Sequence, residues 1–92
     1  MGAVASAIRD KLTATLSPTR LEIVDDSARH AGHAGAGAAG ESHFNLTVES
    51  PSFAGLSRVG RQRLVLHTLA EELAGPVHAL SIKALAPGEA EN

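Results

Sequence analysis

The sequence contains no cysteine, no tryptophan and no tyrosine. Without cysteine the chain can form no disulfide, no catalytic thiolate and no metal site built from its own thiolates. A metal bound by the chain must therefore be held by His, Asp or Glu side chains, or by groups from a partner. Phenylalanine is scarce as well, since only Phe44 and Phe53 are present. The core must consequently be built from Val, Leu, Ile and Ala, and it must be modest in size.

Charge and hydropathy exclude further classes of protein. The 92 residues carry a formal net charge of −2, which argues against binding nucleic acid through a strongly basic surface. This net charge does not exclude a local basic patch. The length fits one domain over 1–92, because single cores usually organise ~100 to 150 residues. No apolar run approaches the ~18 residues of a membrane span, and no secretory leader is visible. We expect a soluble cytoplasmic protein with no membrane partner, an organelle being the alternative location.

Hydrophobic periodicity predicts two helices. The first covers 4–16 and ends before Pro18, because four apolar residues recur at four-residue spacing: Val4, Ile8, Leu12 and Leu16. Ser57 can cap a second helix that runs to about Leu73 and ends at Gly75 and Pro76. The stripe that this second helix is predicted to bury consists of Val59, Leu66, Leu69 and Leu73.

Three strands are predicted, over 21–25, 43–50 and 77–85. The second alternates apolar with polar residues, which indicates one buried and one solvent-facing side. The order helix, strand, strand, helix, strand is typical of a two-layer α+β domain with helices on one face of a three-stranded mixed sheet. We expect strands one and two to pair antiparallel and strands two and three to pair parallel. The polar tail over 87–92 is predicted to fray.

The loop over 26–42 consists largely of Gly and Ala and contains His30 and His33. Little apolar surface is available there to offset the ~1 to 2 kcal/mol per residue that backbone ordering costs. We therefore predict that 31–40 is the most mobile internal segment. Two interpretations stay open, a tolerated flexible insertion and a tether that brings imidazoles to a metal.

The other three histidines are interpreted from their positions. His43 begins the second strand on its solvent side and is expected to be a surface residue. His67 lies near the boundary of the buried stripe and is expected to be partly covered, without a ligand role. His78 is predicted to lie on the core-facing side of the third strand, near the end at which that strand begins. A hydrogen-bonded core histidine and a metal ligand are both compatible with that place.

A cluster of three arginines, Arg58, Arg61 and Arg63, begins the second helix. Cations there oppose the helix dipole, so helix stability does not explain them. They are candidate contacts to phosphates or acidic groups, and a solvated face is the alternative. Neither a nucleophile–base arrangement nor a phosphate-binding glycine motif is present, so we predict that the chain is not an enzyme.

Four blocks of sequence, in order, resemble the BolA family. They cover 21–82 and read LEIVDDSARHAGH, GESHFNLTVES, FAGLSRVGRQRLV and LAEELAGPVHALSI. The resemblance implies a fold similar to the class II KH domain, in agreement with the α+β order. The chain lacks the G-x-x-G loop with which KH domains clamp RNA, which argues against RNA binding in that mode.

For the site, the resemblance implies a [2Fe-2S] cluster shared with a monothiol glutaredoxin and its glutathione. The family's V-H-A-L histidine corresponds to His78, and its loop ligand corresponds to His30, with His33 as the alternative. The family's R-H-R triplet reads R-Q-R here, with Gln62 in place of the imidazole. The isolated chain is expected to hold no cluster, because the thiolates must come from the partner.

Three functions are compatible with these residues. The first is iron–sulfur cluster assembly, trafficking or iron regulation together with a glutaredoxin. The second, a role often attached to bacterial members of the family, is a DNA-binding transcriptional regulator acting through the KH-like helix and its arginines. The third is a structural adaptor whose histidines are incidental. In isolation we expect a monomer or a weak dimer.

Overall fold

The structure is a computed structural model that describes residues 2–26 and 42–89. Its elements are α1 (Ala3–Leu16), β1 (Arg20–Asp25), β2 (His43–Glu49), α2 (Arg58–Thr68), α3 (Ala70–Ala74) and β3 (Ala79–Leu85). A short 3-10 helix, Pro51–Phe53, follows β2. In this part of the chain no helix is long and apolar enough to cross a membrane.

The three strands form one sheet in the order β1-β2-β3. β1 and β2 are antiparallel, and β2 and β3 are parallel. On the central strand Phe44, Leu46 and Val48 are at most 2% exposed, whereas Asn45 between them is exposed. The helices therefore cover one face of the sheet and leave the other to solvent. The predicted two-layer α+β architecture and both strand pairings are confirmed.

The first helix packs on the sheet as its spacing predicts. Its buried side chains are Ala5, Ile8, Leu12 and Leu16. The helix ends where Ser17 adopts a left-handed conformation with φ of 44°, just before Pro18. The buried Ser50 Oγ donates to the Leu16 carbonyl at 2.5 Å, and the Ser50 N–H donates to the Leu85 carbonyl at 2.9 Å. One serine thus joins the end of α1 to the end of β3.

The second predicted helix is divided into α2 and α3 at Leu69, whose φ of −103° and ψ of 21° depart from helical values. The Ser57 cap is confirmed, because Ser57 Oγ accepts from the Gly60 N–H at 3.0 Å. The predicted stripe is wrong at two places, since Val59 is 57% and Leu66 is 39% exposed. Val65 is fully buried instead, and Leu69 of the predicted stripe stays buried, so the buried side of the helix is rotated toward Val65 by less than the ~100° of one residue position.

Polar contacts to the sheet edge account for this rotation. Arg61 Nη1 donates to the Ala84 carbonyl at 3.2 Å, and Gln62 Nε2 donates to the Ile82 carbonyl at 3.1 Å. Both acceptors lie on β3, which has a neighbouring strand on one side only. These bonds turn the Arg61 and Gln62 side of α2 toward the strand. Val59 and Leu66 then face solvent.

The third strand begins two residues later than predicted. Val77 is 3% exposed and its N–H donates to the Glu72 carbonyl at 3.0 Å, so it closes the end of α3 instead of pairing with β2. His78 lies between Val77 and the strand, and the pairing of β3 with β2 starts at Ala79. The chain reaches the sheet with His78 just outside it.

Candidate metal centre

His78 and His43 lie side by side at one end of the sheet. In the parallel register His43 is opposite Ala79, and the His78 N–H donates to the Ser42 carbonyl at 2.7 Å. The centroids of the two imidazole rings are 6.4 Å apart and the ring planes are inclined by 38°. This proximity follows from the topology, because parallel strands both start at the same end of a sheet.

His78 is held at the surface by its neighbours on both sides. The buried Val77 fixes the chain before it, and Ala79 enters the ladder after it. The side chain is exposed, so the alternative of a core histidine is wrong. The reason is its place just before the ladder, beyond Leu80, the first β3 side chain that packs against the core.

His43 is half-buried, not a fully exposed surface residue. Its Nδ1 lies 2.8 Å from Ser42 Oγ, within hydrogen-bond distance. His67 was expected to be partly covered, and this expectation is wrong, because its side chain is exposed near the end of α2. Only His43 therefore adds a second imidazole beside His78 in the described part of the chain.

The two imidazoles do not make a complete metal site. Across residues 2–26 and 42–89, no group of three or more His, Cys, Asp or Glu side chains could hold a metal ion. A tetrahedral iron or zinc ion needs four ligands, so the remaining donors would have to come from elsewhere.

The two described residues that flank the segment 27–41 are fixed beside the imidazole pair. The Asp26 N–H donates to the His43 carbonyl at 2.7 Å, and the Ser42 carbonyl accepts from His78. His30 and His33 lie within this segment, outside the described residues, as does the stretch 31–40 that was predicted to be mobile. Asp26 and Ser42, the described residues on either side of it, lie at the histidine end of the sheet.

The three arginines of α2 differ in their surroundings. Arg61 donates through both Nη atoms to the Glu89 carboxylate, at 2.5 and 2.8 Å, and through Nε to the Leu56 carbonyl at 3.2 Å. The hydrogen bond to Glu89 raises the pKa of Arg61. Arg58 and Arg63 are exposed. Of the three arginines that are candidate nucleic-acid contacts, Arg61 is thus engaged in an ion pair within the protein, whereas Arg58 and Arg63 are exposed.

Glu89 is the functional group of this region that the sequence did not reveal. It lies in the tail that was predicted to fray, yet its N–H donates to the Ala86 carbonyl at 3.1 Å and its carboxylate accepts from the Ala86 N–H at 2.8 Å. The hydrogen bond from Arg61, followed by that from Ala86, lowers the pKa of Glu89 to about 2. The prediction of a frayed tail is therefore wrong for 87–89.

Known proteins resemble this chain along most of its length. Residues 12–89 match the sequence profile of the BolA family, described as BolA-like protein. BolA-like protein 1 of Mus musculus is 49% identical over 88 residues, which cover 96% of this chain and 61% of that protein. The DNA-binding transcriptional regulator BolA of Escherichia coli K12 is 42% identical over 79 residues, which cover 86% of this chain and 71% of that protein.

A plant relative adds a solved structure to the comparison. SufE-like protein 1 of Arabidopsis thaliana, named as chloroplastic/mitochondrial, is 46% identical over 93 residues, which cover 97% of this chain and 25% of that protein. The structure of the BolA domain of SufE1 from Arabidopsis thaliana superposes with a TM-score of 0.86 at 44% identity, over 98% of this chain and 99% of that chain.

The three-stranded mixed sheet with helices on one face defines a small α+β domain of the class II KH-like type. Within that class, the chain belongs to the BolA family. It spans 61% of the mouse relative and 25% of the plant SufE-like relative. Membership confirms the resemblance of the four sequence blocks.

Proposed function

We propose that this chain is the imidazole-bearing partner of a monothiol glutaredoxin, with which it co-ligates a [2Fe-2S] cluster in iron–sulfur cluster assembly, trafficking or iron regulation. The role is that of a binding partner and not of an enzyme. The observation that carries the proposal is the position of His78, an exposed imidazole fixed by backbone bonds beside a second imidazole and beside Asp26 and Ser42, which flank the segment 27–41.

The chemistry of the available donors fits such a shared cluster. Centres with two imidazoles on one iron are known, and the thiolates for the other positions must come from the glutaredoxin and its glutathione, because this chain has no cysteine. A cluster that arrives on another protein also requires ligands at the surface. His78 meets that requirement.

The loop ligand is assigned to His30, with His33 as its substitute. His30 is four residues beyond Asp26, a stretch that spans at most ~14 Å when fully extended. Asp26 is hydrogen-bonded to the backbone of His43, so the segment starts beside the imidazole pair. A ligand on this segment can therefore come within reach of an iron bound to His78.

The test is visible circular dichroism of the complex reconstituted with a monothiol glutaredoxin and glutathione. We expect the wild-type complex to give a signal that differs from that of the glutaredoxin alone, and His78→Ala to abolish it. His30→Ala should weaken the signal less than His78→Ala, because His33 can take over, and the His30/His33 double variant should weaken it strongly. His43→Ala tests whether His43 also binds the iron: the signal should weaken if it does and stay unchanged if His43 only lies beside His78.

His67→Ala is the matched control, since it removes an exposed imidazole near the end of α2. It should leave the signal unchanged. His78→Ala should keep the far-ultraviolet spectrum of the wild type, because the bond from residue 78 to Ser42 is made by its backbone. A wild-type cluster signal in His78→Ala would reject the proposal. The cytoplasm is the proposed location, and the plant relative's organellar name leaves an organelle as the alternative.

A second candidate function is DNA-binding transcriptional regulation. It is favoured by the name of the Escherichia coli relative and by the exposed guanidinium groups of Arg58 and Arg63. We expect Arg58→Ala with Arg63→Ala to weaken binding to all duplexes and to flatten its salt dependence by roughly one log unit for each phosphate that is no longer neutralised. Arg61→Ala should have a smaller effect, because its guanidinium is paired with Glu89. Unchanged affinity of the double variant, measured by fluorescence anisotropy at several salt concentrations, would remove these arginines from that function.

A further inference from the structure

Exposed apolar side chains concentrate around the start of α2. In the part of the chain that the structure describes, the exposed large hydrophobic residues are Val24, Leu56, Val59 and Leu66. Three of these four belong to α2 or to the turn before it. Val59 and Leu66 are two helical turns apart on one side of α2, with Arg63 between them. Isolated exposed apolar residues are ordinary, but neighbouring ones mark interaction sites.

A groove of about 730 Å³ lies beside this stripe, between the start of α2 and the β3 side of the sheet. Leu56, Arg58 and Gln62 contribute to its wall from α2 and the preceding turn, and Ile82 and Lys83 contribute from β3. Arg61 lines it as well. Three of the chain's eight Lys and Arg residues, Arg58, Arg61 and Lys83, therefore line this groove, although the chain as a whole carries a net charge of −2.

The chain itself places a carboxylate at this groove. Glu89 is bound by both Nη atoms of Arg61 and by the Ala86 N–H. This bidentate arrangement is the strong and geometrically specific way in which an arginine pairs with a carboxylate. The internal pair leaves the neighbouring Arg58 and Arg63 exposed, and the structure gives them no ion pair with the residues it describes.

The edge of β3 restricts how a partner can bind there. A peptide that adds a strand to a sheet needs the carbonyl groups of the edge strand. The Ile82 and Ala84 carbonyls already accept from Gln62 and Arg61. A partner must therefore bind through side chains, as an amphipathic helix does when it lays one side along a groove.

We propose that the start of α2, together with the adjoining groove along β3, is a docking surface for an acidic amphipathic helix of a partner protein. The apolar side of that helix packs on Leu56, Val59 and Leu66, and its carboxylates pair with Arg58 and Arg63. A nucleic acid is the weaker fit, because its phosphate backbone offers no apolar surface for the three exposed hydrophobic side chains.

This surface is separate from the histidine end of the sheet. Ser81, the residue of β3 that lines the groove nearest to His78, is three residues from it, which corresponds to ~10 Å in a strand. Neither His43 nor His78 lines the groove, so the two surfaces share no residue. The proposal does not depend on cluster binding.

The experiment measures fluorescence anisotropy of a labelled synthetic peptide with the isolated protein. The peptide is a helix of Leu, Ala and Glu, with Leu at helical spacing on one side and Glu on the flanks. A second peptide with Lys in place of every Glu tests the charge requirement. We expect saturable binding of the acidic peptide, and at least ~10-fold weaker binding of the basic one, since like charges opposed at an interface are repelled.

Two pairs of variants test the residues. Arg58→Glu with Arg63→Glu should weaken binding of the acidic peptide about 10-fold, whereas the charge-matched control Arg9→Glu with Arg20→Glu, away from the groove, should not. Val59→Ser with Leu66→Ser should also weaken binding about 10-fold, because less apolar surface is buried in the complex. The matched control is Val24→Ser, which removes an exposed apolar side chain from β1. His78→Ala should bind the peptide like the wild type.

Each of the following outcomes would overturn the proposal. Absence of saturable binding, or equally weakened binding in the control variants, removes the docking surface. Duplex DNA that binds more tightly than the peptide, and depends on Arg58 and Arg63 but not on Val59 and Leu66, makes the surface a nucleic-acid site instead. Circular dichroism and thermal melting of every variant separate impaired binding from impaired folding.

Discussion

One carboxylate, that of Glu89, ties together the residues around the end of β3. It accepts from Arg61 on α2 and from the Ala86 N–H just beyond β3, and Arg61 in turn donates to the Ala84 carbonyl. These hydrogen bonds favour the ionised carboxylate and bring the pKa of Glu89 from 4.5 to about 2. Glu89 thereby stabilises the packing of α2 against the strand.

The pKa of Glu89 predicts how stability depends on pH. Because this pKa is lower in the folded protein, the contribution of Glu89 is present above pH 4.5 and is lost as the pH falls toward about 2. Glu89→Gln should therefore unfold at a lower temperature than the wild type at neutral pH, and the difference should shrink across that window. Thermal melting at a series of pH values measures it.

Arg61→Gln is the partner control for this experiment. It should remove most of the same pH dependence, and adding Glu89→Gln to Arg61→Gln should change the pH dependence little further. Parallel acid destabilisation of the wild type and Glu89→Gln would show that the ion pair contributes nothing. The sequence could not predict this pair, because Arg61 and Glu89 are 28 positions apart and no local pattern joins them.

Among the helices and strands, the rotation of α2 decides which apolar side chains are buried. Leu64, Val65 and Leu66 are consecutive apolar residues, so periodicity alone does not choose between the faces that they define. The bonds from Arg61 and Gln62 to β3 make that choice, and they put Val65 inside and Leu66 outside. Helix and strand positions were predictable, whereas the rotation required a contact between distant parts of the chain.

Truncating two leucines of the same predicted stripe tests this rotation. Leu69 is 1% exposed, so Leu69→Ala should lower the free energy of unfolding by about 2 to 5 kcal/mol. Leu66 is 39% exposed, so Leu66→Ala should change it by no more than about 0.5 kcal/mol. Urea unfolding of both variants gives the comparison. Similar destabilisation of the two variants would contradict the orientation of α2.

For the whole molecule, strand order explains which parts of the candidate site meet. The antiparallel β1–β2 pair and the parallel β2–β3 pair bring Asp26, Ser42 and His78 to one end of the sheet. That convergence was predictable from the order of elements. The pairing of His43 with His78 was not, because a residue on the solvent side of a strand gives no sequence signal of its neighbour on the next strand.

The same topology separates two surfaces. The histidine end lies at the start of β3, and the groove with its arginines lies beside the middle and the end of β3. The glutaredoxin proposed at the first and the acidic helix proposed at the second use different residues of this chain. On the two proposals together, the chain is a partner that joins two other proteins.

The central claim is that imidazole nitrogens of this chain bind the cluster iron. The most direct measurement is pulsed electron paramagnetic resonance of the reduced complex, prepared from this chain with nitrogen-15 histidine and from unlabelled glutaredoxin. We predict strong couplings of the nitrogen-15 nucleus to the cluster in the wild type and their loss, in whole or in large part, in His78→Ala. A reduced cluster whose spectrum is unchanged by the label would contradict the claim, because all its ligands would then come from the partner.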